Sequence, residues 1–328
     1  MSASVLGVGR PNPMERVGPW IKHFPGGKGH NNCPRFYYVR DGFGCTYNCH
    51  YCYLRRFENL HPDGAEFDPK FERLYSEVKA WMKRPGRNAL LLGEVTDGWG
   101  WTHIEKILER NLQLIVMFRA QQSHTLITLT KDSHVMQRLA GITPTDRVVL
   151  SWSLNPPAIA DLYEMGAKQA EARIADAARA REAGWRVRVR IDPMIPIAEW
   201  QRHYAELANV VRDRVRPELV TCGSWRPRPQ DPMMKSAPPE MTAHLEKGPD
   251  GRLRLKNRIE MYETVWAILG SDITRSLCKE ELDVEAWLYT EHGEVMQACN
   301  CLGEPVVPVS RLHVSAALQA RARVEVRR

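Results

Sequence analysis

The chain has 328 residues, of which 43% are hydrophobic and 26% are charged. This balance is typical of a globular protein and excludes a disordered chain, a collagen-like fibre and a coiled coil. Lysine and arginine outnumber aspartate and glutamate by 46 to 39, and the net charge of +7 favours polyanionic partners such as nucleic acid. The longest apolar stretch, residues 112–118, is far shorter than the roughly 20 residues that span a bilayer. Because the N-terminal residues lack a secretory signal, we expect a cytoplasmic protein without membrane contact.

Residues 1–34 are rich in glycine, proline and basic side chains, and we expect them to form an irregular basic arm. From residue 35 onward, apolar or β-branched runs alternate with segments of helical periodicity. The strand-like runs cover 35–39, 89–95, 125–130, 147–153, 185–191 and 218–223, and the helix-like segments cover 71–82, 104–118, 168–184 and 199–213. Such an alternation predicts parallel strands that are joined by helical crossovers.

The predicted fold is an α/β protein in which residues 35–225 form a partial (β/α)6 TIM-like barrel. A doubly wound sheet is the alternative architecture. In the run 185–191 arginine alternates with valine, which predicts that one face of this strand meets the polar barrel lumen. Residues 226–328 are expected to form a C-terminal, cysteine-bearing segment, with a proline-rich stretch and a last helix near 256–270.

Polar side chains follow nearly every apolar run, at the edge of a parallel barrel where catalytic groups collect. They are Glu94, Thr96, Asp97, Lys131, Asp132, Ser151, Ser153, Asn155 and Asp192, with Cys222 near the end of the last run. We therefore expect one polar site at the carboxyl edge of the strands.

Three of the eight cysteines form the strongest motif of the sequence. Cys45, Cys49 and Cys52 are spaced CxxxCxxC in a loop after the first predicted strand. Because disulfides are rare in the cytoplasm, such a cluster indicates metal or redox chemistry, and thiolates suit iron–sulfur clusters or zinc. A [4Fe–4S] cluster on three cysteines leaves one iron open for a small molecule. His50 would complete a zinc site, but it lies between two ligands where the loop has little room to turn it inward.

The CxxxCxxC motif, with the aromatic Tyr51 before its last cysteine, resembles that of the radical S-adenosylmethionine (SAM) superfamily. The resemblance implies a [4Fe–4S] cluster whose open iron binds SAM, and an electron donor such as flavodoxin or ferredoxin. It also implies reductive cleavage of SAM to methionine and a 5′-deoxyadenosyl radical, which abstracts hydrogen from the substrate.

More narrowly, the chain resembles the spore photoproduct lyase family, which repairs a thymine dimer in DNA. The similar motifs are GCTYNCHYCYL (44–54), EVTD (94–97), LTKDSHV (129–135), SWSLNP (151–156) and RIDPMIP (190–196). On these motifs the resemblance implies a cofactor site lined by Tyr51, Glu94, Thr96, Lys131, Ser153, Asn155 and Asp192. Tyr53 matches a tyrosine near the hydrogen-transfer path of the family.

One residue departs from the family pattern. The family has a hydrogen-donating cysteine just ahead of the second-strand motif, and this sequence has Glu94 there. Glutamate has no weak bond to hydrogen that it can donate. Either another thiol takes over, for which Cys222 is the candidate, or the reaction ends differently from dimer repair.

The C-terminal segment contains Cys278, Cys299 and Cys301, whose spacing fits no common zinc hook. The alternatives are a second iron–sulfur cluster, a zinc site, a redox pair or three unrelated thiols.

Three functions remain open from the sequence. The first is a radical SAM enzyme that acts on a pyrimidine base in DNA, by repair, hypermodification or rearrangement. The second is a radical SAM enzyme for a free metabolite or a peptide. The third is a zinc-bearing nucleic-acid-binding protein without catalysis.

Overall fold

The structure, a computed structural model, describes residues 18–24, 31–32, 35–40, 42–52, 54, 66–67, 71–101, 104–167, 169–227, 231–246, 251–278 and 280–281. Three residues of the predicted site, Tyr53, Cys299 and Cys301, lie outside the described residues.

An eight-stranded sheet organises the described chain, and its strands are neighbours in chain order. They are β1 (Ile21–Phe24), β2 (Phe36–Val39), β3 (Ala89–Leu92), β4 (Thr125–Thr130), β5 (Val148–Ser153), β6 (Arg186–Met194), β7 (Leu219–Ser224) and β8 (Thr274–Leu277). Strands β2 to β8 are parallel, and β1 pairs antiparallel with β2. Each strand is added at the same edge of the sheet, next to the strand that precedes it in the chain. This order is that of a barrel, since the strand order of a doubly wound sheet reverses direction.

Helices connect the strands on one side of the sheet. They are α1 (Phe71–Trp81), α2 (Glu105–Arg119), α3 (Val135–Arg138), α4 (Pro157–Tyr163), α5 (Ala170–Glu182), α6 (Trp200–Val210), α7 (Pro232–Ser236), α8 (Pro239–Thr242) and α9 (Leu255–Leu269). Helix α6 continues into a π-helical turn, Val211–Val215. Among the helices that the structure describes, none has the length and apolar character needed to cross a bilayer.

The predicted strands and long helices are confirmed, with boundaries that differ by a few residues. Two strands of the eight-stranded sheet were not predicted. Strand β1 lies inside the segment 1–34 that we expected to be irregular, and β8 extends the parallel sheet beyond residue 225. Both runs are four residues long and carry polar side chains, so neither gives a clear hydrophobic period.

The two faces of the sheet have different surroundings. On the helix side, Val187, Val189 and Ile191 of β6 belong to the main hydrophobic core. Arg186, Arg188 and Arg190 alternate with them and therefore face the lumen, which confirms the expectation from the sequence. We call the carboxyl end of this lumen the chamber.

Candidate active site

Backbone pairing fixes the loop that carries Cys45, Cys49 and Cys52. Cys49 pairs antiparallel with Glu164 in a two-residue ladder. The amide of His50 donates to the carbonyl of Tyr163 at 2.8 Å, and the amide of Cys52 donates to the carbonyl of Cys49 at 3.1 Å. The loop is thus attached to the segment that follows α4, although more than 100 residues separate the two in sequence.

A glycine allows the loop after β3 to pack against the cysteine loop. A Cβ at Gly100 would lie 2.5 Å from Thr46 Oγ1 and 3.1 Å from the ring of Tyr47. The phenol of Tyr47 also donates to Asp132 Oδ2 at 3.4 Å. The cysteine loop is therefore held from two sides, and a larger residue at position 100 would force the side chains of Thr46 and Tyr47 to move.

The cysteine thiols lie in a shielded environment. Burial raises the pKa of Cys45 and that of Cys49, the latter to about 12, and Asp97 raises the pKa of Cys45 further. In the protein without metal, Cys45 and Cys49 are therefore neutral thiols, and binding of iron releases their protons.

The donor set distinguishes between a cluster and a single metal ion. Within the described ranges, no three Cys, His, Asp or Glu side chains converge on one ion. A [4Fe–4S] cluster binds each thiolate at a different iron, so its ligands need not converge on one point. Three thiols on one short loop fit such a cluster, which agrees with the sequence motif.

Four predicted cofactor residues come together beside the cysteine loop. The ammonium of Lys131 donates to Ser153 Oγ at 2.8 Å and lies 5.7 Å from the centroid of the Tyr51 ring. Asn155 Nδ2 lies 3.3 Å from the hydroxyl of Tyr51. We call these residues, together with Glu164 and Arg173, the cofactor cluster.

Glu164 is the centre of the cofactor cluster and was not predicted from the sequence. Its carboxylate accepts hydrogen bonds from Tyr51, from Arg173 and, at 3.0 Å, from Asn155 Nδ2. Burial alone would raise its pKa, but Lys131 and Arg173 keep it below the usual value, so Glu164 is ionised. Arg173 also donates to the carbonyl of Ser153 at 2.8 Å.

One signal in the sequence could have indicated this network. Arg173 stands in α5 on the same face as the buried Ala170, Ile174 and Ala177, where an arginine needs a buried acidic partner. Glu164 itself carries no such signal, because it lies in a two-residue strand.

Asp97 positions the loops around the chamber. Its carboxylate accepts hydrogen bonds from the amides of Trp99 at 2.9 Å, Gly100 at 2.7 Å and Lys131 at 2.7 Å, and from Thr130 Oγ1 at 2.5 Å. These hydrogen bonds connect the loop after β3 to Lys131, which directly follows β4.

Two hydroxyl groups fit a bound polar molecule. Thr96 Oγ1 and Ser151 Oγ are buried and have no hydrogen-bond partner. Because an unpaired buried hydroxyl is unfavourable, such groups indicate a partner that binds there. The amino, carboxylate and ribose groups of SAM are partners of this kind.

A second set of residues adjoins the cofactor cluster, since Arg190 of β6 pairs with Ser153 of β5. Arg190 contacts Glu94 Oε2 at 3.6 Å and Asp192 Oδ2 at 2.9 Å, and it donates to the sulfur of Cys278 at 2.9 Å. Arg226 Nη2 donates to Asp192 Oδ1 at 2.6 Å. We call these five residues the arginine cluster. It contains the predicted residues Glu94, Asp192 and Cys278.

Cys222 does not point into the chamber, and the expectation that it would do so is wrong. Its side chain belongs to the core between the sheet and the helices and lies beside the indole of Trp266 in α9. Burial raises the pKa of this thiol to about 12. The strand alternates, so Thr221 faces the lumen and Cys222 faces the helices.

Comparison with known families assigns the chain. The family model of spore photoproduct lyase matches residues 35–222, more than half of the 328 residues. The chain belongs to the spore photoproduct lyase family. It is therefore an enzyme of the radical SAM class, and the non-catalytic zinc-protein alternative is wrong. A comparison with curated proteins gives no match.

Solved structures agree with this assignment at the level of the fold. A cysteine-to-alanine mutant of spore photoproduct lyase has a TM-score of 0.60 at 16% identity, covering 74% of this chain and 75% of that chain. Spore photoproduct lyase complexed with dinucleoside spore photoproduct has a TM-score of 0.58 at 16% identity, with coverage of 74% and 75%. Native anSMEcpe with bound AdoMet has a TM-score of 0.50 at 12% identity, with coverage of 78% and 66%.

Proposed function

We propose that this member of the spore photoproduct lyase family acts on a pyrimidine base in DNA and modifies or rearranges it. The proposal depends on one observation above all: the cysteine loop and the cofactor cluster meet at the carboxyl end of the barrel, within the segment that matches the family. The arginine cluster adjoins them, since Arg190 pairs with Ser153 on the neighbouring strand.

The chain's own side chains have distinct tasks in this proposal. When bound, a [4Fe–4S] cluster and SAM supply a 5′-deoxyadenosyl radical. Cys45, Cys49 and Cys52 would hold the cluster. Lys131 would pair with the carboxylate of SAM, and the unpartnered hydroxyls of Thr96 and Ser151 would hydrogen-bond its polar groups.

Two observations favour DNA as the substrate. A structural relative is complexed with dinucleoside spore photoproduct, which is a pair of linked pyrimidine nucleosides. The net charge of +7 favours a polyanion over a free metabolite or a peptide. In a duplex the target base would have to be flipped out of the stack to reach the chamber.

The replacement of the donor cysteine by Glu94 favours modification or rearrangement over dimer repair by the family's route. The Glu94 carboxylate is held against Arg190 and has no hydrogen atom to give to a carbon radical. An electron donor such as flavodoxin or ferredoxin would supply the electron that cleavage of SAM requires. A second iron–sulfur cluster on Cys278, Cys299 and Cys301 remains an untested prediction from the sequence.

DNA binding at several salt concentrations tests the substrate class. If the chain tracks a DNA backbone, log Kd should rise linearly with log salt, by about 0.9 for each phosphate contact. A flat salt response, combined with equal stimulation of SAM cleavage by free nucleosides and by oligonucleotides, would contradict the proposal and favour a small-molecule substrate.

A further inference from the structure

Two buried cysteines outside the cysteine loop lie on neighbouring strands and face opposite sides of the sheet. Cys222 of β7 pairs with Leu277 of β8, and the amide of Cys278 donates to the carbonyl of Cys222 at 2.7 Å. On the lumen side, the hydroxyls of Thr221 and Ser276 are hydrogen-bonded at 2.6 Å. Cys278 follows Leu277 and therefore turns to the side of Ser276, away from Cys222.

Arg190 confirms the direction of the Cys278 side chain and fixes its position. One guanidinium donates to the sulfur at 2.9 Å and contacts Glu94 Oε2 at 3.6 Å. Arg226 Nη1 lies 3.4 Å from the carbonyl oxygen of Cys278. The Arg190 guanidinium thus contacts both the sulfur of Cys278 and the carboxylate of Glu94, at the carboxyl end of the barrel.

A buried hydroxyl without a partner lies on the strand next to β6. Strand β5 is the neighbour of β6, and Arg188 and Arg190 pair with Ser151 and Ser153. Ser151 Oγ is buried without a partner on the lumen side of that strand. A molecule in the chamber that forms a hydrogen bond with Ser151 would lie beside β6. Arg190 of that strand contacts the sulfur of Cys278.

We propose that Cys278 is the thiol that delivers a hydrogen atom to carbon radicals formed in the chamber. This inference rests on the proposed function, and it replaces the prediction that Cys278 is a ligand of a second cluster, because a thiolate bound to iron has no S–H hydrogen to give. An S–H bond is weak enough to give its hydrogen to an alkyl radical. Of the five cysteines that the structure describes, three are the cluster ligands and Cys222 faces the helices. Cys278 is the one of the five that remains for this role.

The carbon radical and the Cys278 thiol give a C–H bond and a thiyl radical, so the S–H bond breaks and no net charge moves. The thiyl radical then takes one electron from a low-potential one-electron donor, such as dithionite or a ferredoxin-type protein, and one proton from water. The thiol is restored for the next cycle.

Alkylation tests the placement of Cys278 without turnover. The anaerobic, cluster-loaded protein is treated with iodoacetamide, with and without SAM and without reductant, and the labelled peptides are quantified by mass spectrometry. We expect Cys278 to react at least fivefold faster than Cys222, and SAM to slow only Cys278. Equal rates for the two thiols, or a Cys278 rate that ignores SAM, would show that Cys278 does not face the chamber.

Solvent deuterium tests the chemistry and needs no substrate. In D2O with SAM and dithionite, a chamber thiol exchanges to S–D and delivers deuterium to C5′ of 5′-deoxyadenosine. We expect Cys278→Ala to lower the deuterated fraction at least fivefold. We expect the matched variant Cys222→Ala, on the adjacent strand, to leave it unchanged.

A second substitution should restore deuterium transfer in Cys278→Ala. In the Cys278→Ala background, Glu94→Cys places a thiol at the other end of the same guanidinium and should restore the deuterated fraction. If the wild-type protein forms no 5′-deoxyadenosine, the proposed function fails. If it does, and Cys278→Ala retains the full deuterated fraction, only the role of Cys278 is overturned.

Discussion

The cofactor cluster and the arginine cluster share one chamber but differ in how they are held. The cofactor cluster is centred on one buried ion pair, Arg173 with Glu164, whose side chains are 0% and 1% exposed. The arginine cluster joins charged side chains from β6 and from loops at the ends of β3 and β7, and its contact between Arg190 and Glu94 is long, at 3.6 Å.

This difference indicates a division of tasks. A buried network of several short hydrogen bonds keeps one geometry, which suits residues that must hold the same cofactor in every cycle. The long contact of Glu94 with Arg190 can be exchanged for a contact with a substrate, while the shorter contacts with Asp192 hold the guanidinium in place. We therefore expect changes in the cofactor cluster to affect cofactor binding and folding, and changes in the arginine cluster to affect the fate of the substrate radical.

The largest effect is expected for Cys49→Ala. Loss of one of three thiolates should abolish stable cluster binding, so iron content and visible absorbance after anaerobic reconstitution should fall to background. SAM cleavage should fall by at least a hundredfold. Cys222→Ala is the control, since that thiol faces the helices. Unchanged iron content in Cys49→Ala would contradict the assignment of the cysteine loop.

Arg173→Met should cause the second-largest effect, on stability. Removing one partner of a buried ion pair leaves the Glu164 carboxylate uncompensated, which destabilises a protein by about 3–5 kcal/mol. Chemical denaturation measures this loss. Arg214→Met is the control, because Arg214 and its partner Glu171 are largely exposed and should contribute little.

The double variant Arg173→Met with Glu164→Gln sharpens this prediction. It removes both charges, so it should be more stable than Arg173→Met alone. If the two variants were equally stable, the loss would arise from packing and not from an uncompensated charge.

Lys131→Met should have a smaller effect, confined to SAM binding. The ammonium lies beside Ser153 and Tyr51, and a hydrogen bond from a charged group contributes about 1.5–3 kcal/mol. We therefore expect the Kd for SAM, measured on cluster-loaded protein, to rise roughly tenfold to a hundredfold. Lys79→Met, on the exposed face of α1, should leave the Kd unchanged. An unchanged Kd in Lys131→Met would remove this residue from the SAM site.

Glu94→Gln should have the smallest effect on folding. The contact with Arg190 is long, and Asp192 still pairs with Arg190 when the Glu94 charge is removed. We expect the free energy of unfolding to fall by much less than in Arg173→Met, because the Arg190 guanidinium keeps the Asp192 carboxylate as a partner. A loss as large as that of Arg173→Met would show that the two clusters are held in the same way.

The sequence predicted the parts of the site that depend on local spacing. The CxxxCxxC motif and the polar residues after the strands identified Tyr51, Lys131, Ser153 and Asn155, which the structure brings together. Glu164 was missed because its role depends on pairing with Cys49 across more than 100 residues, and no local pattern reports such a pairing.

The two C-terminal cysteines of the described chain show a second limit. The run that contains Cys222 is buried on both faces, so periodicity does not tell which side the thiol takes. Its direction is set by the register between strands, with Arg190 beside Thr221. Cys278 gave no signal of its own because β8 was not predicted.

The most direct test of the account is the formation of 5′-deoxyadenosine by the anaerobically reconstituted protein with SAM and dithionite. We expect the cysteine loop to bind one cluster of about four irons per chain. We also expect the protein to cleave SAM reductively, and Cys49→Ala to abolish this cleavage. Protein that binds its full complement of iron yet forms no 5′-deoxyadenosine, or that cleaves SAM equally well without Cys49, would contradict it.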